Sequence, residues 1–524
     1  MIKKRNLIFL ICGLIFLAVN FWLVTPVAVD PAVGYRFDWP DETANYFWIQ
    51  QYAQTGQLFS AEPLNELAKN QIHPRSFNVR PDGSLVPGSF LGLIIFYGMV
   101  AKVLGTRLII YLTPVLAMMA VLAFYGIIKQ IFNQRIAMVS AILMMIHPAW
   151  WYYSLTSMLP NVAFVSLLIF GSYFLVTYSK EKFYYLILAG GFLGLALSVR
   201  PADISLVLVI FLGLLAYKKD HLNFSKVILI VVMIGLPLVP MFYQQKLVYG
   251  SFTTTGYSQL ENSDSVGRLC ETFKSLIMPF GFHPRLVWHN LFNYYFKLFW
   301  PYAILSLLGA LLFIKDFKNQ VGKKTGYLIL TLLVTGAMGI YYGSWQFSDL
   351  LTVNLNTIGL SYVRYWLPLY LLTLPLIAMA IDWLAGLFKK RFSNVILLLV
   401  ILFLGYSSAQ LVLWQRPESF LVVKERVSSY QALSAEVSSL TEVQSIIVTS
   451  RKDKVFFPDR KVIHTFDRLV DNQELQKILS DLSGAAPLYY YALGRENDFK
   501  SVAGLELEEV QLFGQEVLYK IIKQ

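Results

Sequence analysis

The 524-residue chain is 56% hydrophobic and only 15% charged, with a mean hydropathy of +0.54. No soluble packing scheme covers that much apolar side chain with polar surface, which excludes a water-soluble globule and leaves a polytopic α-helical membrane protein. The formal net charge of +12 does not point to nucleic acid, because most of the excess sits in short Lys and Arg clusters between apolar runs, where it sets topology. Cys12 and Cys270 are the two cysteines, far apart and in different settings, and supply neither a disulfide framework nor a metal site.

Lys3, Lys4 and Arg5 precede an apolar run from Leu7 to about Thr25, long enough to cross a bilayer and too long for a secretory leader. Its N-terminus belongs inside. The next two apolar stretches, 88–104 and 108–128, cannot both span, since Lys129 and Arg135 would then end outside. The first gives way: it is shorter, opens on Pro87-Gly88 and contains Lys102, so it is expected to lie in or dip into the outer interface. Residues 28–107 then form one long external segment. From there the basic clusters Lys129/Arg135, Lys180/Lys182, Lys218/Lys219/Lys226, Lys315/Lys318/Lys323/Lys324 and Lys389/Lys390/Arg391 all fall inside. Spans are expected near 7–27, 108–128, 136–153, 161–178, 184–199, 202–217, 227–243, 293–314, 326–343, 366–387 and 394–414, eleven crossings with an external C-terminus. Two further external stretches, 244–292 and 344–365, are long enough to build a site.

Composition changes after Trp414. Short β-like runs at Ser445–Thr449, Val462–Phe466, Leu488–Ala492 and Val517–Ile522 alternate with helix-like polar segments near 422–438 and 471–483, so residues 415–524 are expected to form a small α/β domain on the outer face. It carries no nucleotide-binding glycine loop and no metal spacing.

Directly after the first span, Asp38, Asp41 and Glu42 place three carboxylates within five positions. A carboxylate at an oily interface can take a proton from an attacking hydroxyl, provided that it is held at a fixed position. The same residues also suit a solvated loop in which Asp41 caps a helix starting near Glu42. Residue types alone leave both readings standing.

Pro40-Asp41-Glu42-Thr43, with aromatic residues after it and just outside the first span, resembles the signature of GT-C membrane glycosyltransferases, in particular the protein O-mannosyltransferase and aminoarabinose transferase group. Other pieces follow in the same order: Pro87 opening an apolar external helix that ends at Gly105, Trp151-Tyr152-Tyr153-Ser154 to Pro160-Asn161, Gly194-Leu195-Ala196 then Arg200-Pro201, Tyr249-Gly250 then Thr255-Gly256-Tyr257, and Arg364-Tyr365-Trp366-Leu367-Pro368. The resemblance covers about residues 1–414. It implies a GT-C transmembrane domain that transfers a sugar from a polyprenyl-phosphate carrier to a lipid, glycan or protein acceptor on the extracytoplasmic face, by an inverting displacement. Asp41 falls on the family's base, with Asp38 or Glu42 supplying a second charge or none being needed. Many relatives carry another acid where this chain has Asn161. Asparagine cannot act as a base and is a poorer ligand for a hard cation, which weakens any divalent-metal version of the mechanism.

Among the cations, Arg364 stands at the outer mouth of the tenth span, where topology does not call for it, and a guanidinium grips phosphate oxygens bidentately; it also reads as an interface anchor whose stem snorkels. Arg80, beside Pro81-Asp82-Gly83, is a weaker phosphate candidate and also reads as a turn residue. Arg200 is a third, although with Asp203 three residues on it also reads as an ion pair closing a tight hairpin. Asn161, Tyr257 and Tyr365 are expected to line the substrate cavity. His73, His283 and His289 lie in external loops without carboxylate spacing and do not read as metal ligands. Two other classes meet part of this pattern, a lipid-linked sugar flippase or transporter and an inactive GT-C homologue acting as a scaffold. A transporter calls for mid-span charges and paired halves, whereas here acids and arginines collect at the outer surface.

The parity of the basic clusters is directly testable on a cysteine-free background. Cysteines introduced at Lys69 and Lys500 should react with an impermeant reagent in intact cells, and one at Gln320 should not; labelling at 320 overturns the topology.

Overall fold

The computed structural model describes residues 4–25, 34–258, 280–315, 322–347, 356–496 and 503–524; Cys270, Lys318, Gln320 and Lys500 lie outside them. The chain divides into two compact units, one of Met1–Thr25, Ile110–Pro240 and Ser263–Val422, the other of Pro26–Ile109, Met241–Asn262 and Val423–Gln524.

The first unit is helical, as its apolar runs require, because a backbone in hydrocarbon must satisfy every N–H and C=O within its own segment. Helices α1 (Lys4–Val24), α4 (Leu112–Ile131), α5 (Gln134–Ile146), α6 (Pro148–Leu155), α7 (Pro160–Thr177), α8 (Tyr184–Val199), α9 (Ile204–Tyr217) and α10 (Phe224–Gly235) are followed by helices at Trp300–Lys315, Lys323–Gly343, Leu367–Gly386 and Lys390–Ala409. Among the described residues, 7 helices are long and apolar enough to cross a membrane, or up to 9 if each of two bent pairs is one span. Every span expected from the sequence falls on one of these helices, on a bent pair, or on the shorter Tyr184–Val199 and Pro201–Tyr217. The bends were not expected. The run at 136–153 breaks by 50° between α5 and α6, where Pro148 supplies no N–H to continue the ladder. The run at 293–314 turns by 101° between Pro284–Lys297 and Trp300–Lys315, and Pro301 stands at that turn.

The second unit holds the segment after the first span and the C-terminal sheet. Helix α2 (Pro40–Thr55) packs on α3 (Leu91–Leu104), the helix expected at 88–104. Between them a short antiparallel hairpin pairs β1 (Phe77–Val79) with β2 (Leu85–Pro87). The C-terminal strands are β3 (Ile446–Thr449), β4 (Lys461–His464), β5 (Leu488–Ala492), β6 (Leu505–Phe513) and β7 (Glu516–Lys523), in the order β4-β3-β5-β7-β6. β3 runs parallel to β4 and β5, and β7 antiparallel to β5 and β6. With helices at Phe420–Leu440 and Gln473–Leu482, this is the expected small α/β arrangement, plus one strand, β6, that the sequence did not announce. Its core is shared: Ala68 and Ile72 are buried in one cluster with Ile446, Val448, Ile463 and Tyr490, and Ile72 bridges Ile463 on the edge strand β4.

Helix contacts in the first unit depend on small residues that let backbones approach. A Cβ on Gly309 would lie 2.0 Å from the Leu376 carbonyl oxygen, whereas one on Gly336 meets nothing within 4 Å. Gly309→Ala should therefore lower thermal stability by about 1–3 kcal/mol, and Gly336→Ala should not; equal melting temperatures for both variants would refute this packing.

Candidate active site

Pro40 is the first residue of α2, where its missing N–H costs nothing, and Trp39 is the N-cap. Asp41 therefore sits inside the first turn, and the alternative in which it caps the helix is corrected. Its carboxylate is half-buried and accepts a hydrogen bond from the Ser76 hydroxyl at 2.5 Å. It makes no ion pair with any described residue.

Its two neighbours are committed differently. Asp38 takes both Arg426 bonds, at 3.2 and 3.0 Å, and has Lys454 3.7 Å away with its own backbone carbonyl accepting from the same ammonium. Burial pulls the Lys454 ammonium below the ordinary lysine value, opposed by the Asp38 charge. Glu42 is buried, 5% exposed, one helical turn before Asn45 and Tyr46, which α2 also buries. Of the three acids, Asp41 is the one left both held and accessible.

The surroundings of Asp41 bring the scattered family-like pieces together. The Ser76 carbonyl accepts from Gly88 N–H at 3.0 Å, and Ser89 donates to Asn45 on α2 at 3.0 Å. Tyr249 donates to the Pro87 carbonyl at 2.7 Å, and Asn78 to the Gly256 carbonyl at 2.6 Å. Gly256 has to be glycine, since a Cβ there would come within 2.4 Å of the Gly88 carbonyl carbon. Tyr257 follows it, half-exposed, with its ring 4.8 Å from Phe90. Arg80 is not part of this group: it starts the β1–β2 turn, pairs with Asp82 at 3.4 Å and lies over Phe59.

In the helical unit, four of the expected residues converge. Tyr365 has the Arg200 guanidinium carbon 4.7 Å and the Arg364 one 5.2 Å from its ring centre, and Tyr342 stacks on it at 4.6 Å. Asn161, the second residue of α7, donates to the Arg364 carbonyl at 3.3 Å, so it holds the chain that presents this arginine. Arg364 itself is half-buried and also donates to Ser361. Arg200 is used otherwise: it is buried, paired with Asp203, and donates to the Tyr342 hydroxyl at 2.8 Å, which donates in turn to Asp203 at 2.7 Å. This is the hairpin ion pair, closed by a tyrosine 139 residues further on.

The comparisons with known proteins bear on the fold. A profile of the dolichyl-phosphate-mannose-protein mannosyltransferase family matches residues 93–243. ArnT from Cupriavidus metallidurans, in its structure bound to undecaprenyl phosphate, superposes with a TM-score of 0.62 at 10% identity, over 99% of this chain and 98% of that one. The chain has the GT-C fold. The apo oligosaccharyltransferase of Archaeoglobus fulgidus superposes on this GT-C chain with a TM-score of 0.50 at 12% identity, over 93% of this chain and 69% of that one. No curated protein sequence matches significantly.

Sequence reasoning missed Ser76 and Tyr342. Ser76 has φ +64°, a conformation that no signal in a lone serine announces, and Tyr342 lies in an apolar span where aromatics are ordinary. The role of Tyr342 in this GT-C chain is measurable. Asp203→Ala leaves the Arg200 charge buried without its carboxylate and should cost about 3–5 kcal/mol; Tyr342→Phe removes only the bridging hydroxyl and should cost about 1.5–3 kcal/mol. Wild-type thermal unfolding in both would show that the cluster is not structural.

Proposed function

We propose that this chain is an integral-membrane glycosyltransferase that moves a sugar from a polyprenyl-phosphate carrier to an acceptor on the extracytoplasmic face. The observation that carries the reading is Asp41: a carboxylate in the first turn of α2 that accepts from the Ser76 hydroxyl and is accessible, whereas Asp38 is absorbed in ion pairs and Glu42 is buried. ArnT, which superposes over 99% of this chain, is described as bound to undecaprenyl phosphate, which supports the choice of carrier.

In the proposed step an acceptor oxygen attacks the anomeric carbon and gives its proton to Asp41. A new carbon–oxygen bond forms as the bond from the anomeric carbon to the phosphate oxygen breaks, the polyprenyl phosphate leaves with the electron pair, and configuration inverts. Proton transfer to a positioned base contributes about 10²–10⁴-fold. Arg364 is assigned to the phosphate, whose charge grows as the bond breaks, since charge-assisted bonds from a planar fork are strong and directional. Tyr365, stacked between aromatic and cationic neighbours, offers its flank to the carrier or the sugar. Asn161 supports Arg364 rather than taking a proton. Arg200, neutralised by Asp203, is assigned to structure, and Arg80 to its turn. The acceptor is a lipid, a glycan or a protein, and Tyr257 is assigned to contact with substrate.

Mass spectrometry of surface glycans from a deletion strain names the sugar and acceptor, and the component lost then serves as the readout for variants. Asp41→Asn should restore that component at a rate lower by about 10²–10⁴-fold at matched membrane levels of protein. Asp38→Asn should instead lower melting temperature, because Arg426 and Lys454 lose a charged partner, with turnover per folded molecule little changed. Near-normal restoration by Asp41→Asn sinks the base assignment. For Arg364, binding of undecaprenyl phosphate to purified protein is the direct test: alanine should weaken it by about 1.5–3 kcal/mol and lysine by less. Unchanged affinity in Arg364→Ala would make this residue an interface anchor.

A further inference from the structure

Ser76 gives the Asp41 carboxylate its one side-chain hydrogen bond among the described residues, and does so from a backbone conformation, φ +64°, that residues other than Gly, Asn and Asp seldom adopt. Something has to hold it there. On its N-terminal side stands Arg75, whose backbone N–H donates to Asp453 Oδ2 at 2.9 Å. The Arg75 guanidinium grips the same carboxylate through Nε, at 2.9 Å to Oδ1 and 3.2 Å to Oδ2, and through Nη2 at 2.6 Å to Oδ1, while Nη2 also reaches the Arg451 carbonyl at 3.0 Å. Asp453 opens the short helix Asp453–Phe456, between β3 and β4, and its side chain is fully buried. Burial alone would push its carboxyl up, yet the bonds and charge of Arg75 outweigh that and hold it below the usual carboxylate value. On the other side, Phe77 is packed against Phe47, Trp48 and Phe457 at ring distances of 5.5, 5.2 and 5.0 Å. Residue 76 is thus clamped at both ends, and only its hydroxyl has work left to do.

We propose that Asp453, acting through Arg75 and Ser76, is a positioning residue for Asp41. The small C-terminal α/β region sets the backbone of Ser76; the Ser76 hydroxyl occupies Asp41 Oδ1 and fixes the carboxylate's rotamer, leaving Oδ2 to receive the acceptor's proton. This rests on Asp41 being the base, and it gives the C-terminal region a part in the chemistry that is separate from any acceptor contact. The clamp also explains why a serine is kept in a glycine-like conformation: glycine would fit the backbone but deliver no donor.

The test uses the full-length protein in the deletion strain. The rate at which the missing glycan component reappears after induction reports turnover, and undecaprenyl phosphate binding to purified variants reports the donor side. Ser76→Gly adopts the same backbone more readily, so it should keep its melting temperature and its affinity for undecaprenyl phosphate while turnover falls by about 10- to 100-fold, the scale of a misplaced catalytic group. Asp453→Asn should fall similarly, and Arg75→Lys less. If these residues act through one another, the double variant of Ser76→Gly with Asp453→Asn should be no slower than the worse single. Normal turnover in Ser76→Gly, or losses that multiply in the double variant, would overturn the proposal and leave Asp453 a structural ion pair. Asp41→Asn, run alongside, separates the two levels: full activity there rejects the base and this relay together, whereas a dead Asp41→Asn beside a normal Ser76→Gly rejects the relay alone.

Discussion

Hydrocarbon tolerates a polypeptide only if its polar groups are satisfied from within, and this constraint decides where chemistry can reside in the chain. The spans are built almost wholly from apolar residues, so charged groups concentrate where helices begin and end. Arg364 precedes the helix Leu367–Gly386, Asn161 opens α7, and Arg200 follows the end of α8. Even there a charge is costly unless paired. Arg200 meets the requirement with Asp203 and Tyr342, and that leaves Arg364, cushioned by Tyr365 and Ser361, as the better exposed of the two arginines.

The same economy governs the second unit. Arg36 is buried against Asp459 and Ser434, with burial pulling the guanidinium down and pushing the carboxyl up while each charge opposes the other's shift. Arg75 with Asp453, Arg426 and Lys454 with Asp38, and Lys461 with Glu62 at 2.7 Å repeat the arrangement, each joining the segment after the first span to the C-terminal region. Such pairs add little net stability but strongly penalise any other register. They select one docking of these two stretches of sequence, and a carboxylate exempted from the pairing stands out against them.

Much of the architecture was legible because its determinants are local. Apolar run length marked the spans, and the acids after Pro40 marked a helix start near Glu42, two residues past the observed one. β3, β4, β5 and β7 coincide with the runs expected at 445–449, 462–466, 488–492 and 517–522. β6 was not legible, because Glu506, Glu508 and Glu509 make a strand at the sheet edge look like solvated loop. The bends at Pro148 and near Pro301 were concealed by continuous hydropathy. For Asp41, residue type left base and helix cap both standing and the family resemblance favoured the base, whereas Ser76, which holds its carboxylate, escaped. Arg75 and Asp453 are 378 positions apart, and nothing in a single sequence couples them.

The bridge from Ile72 to Ile463 has a consequence for how the protein is made. Residues 68–72 are synthesised early, yet the strand that they cover and the apolar cluster that they complete, from Ile446 to Ile521, are synthesised only after the helices of the first unit. Until then Ile72 has no sheet to cover, and a C-terminal sheet separated from this segment would bare the edge of β4, which invites pairing with other chains. This core therefore closes only when residues 446–521 dock onto a segment made long before them.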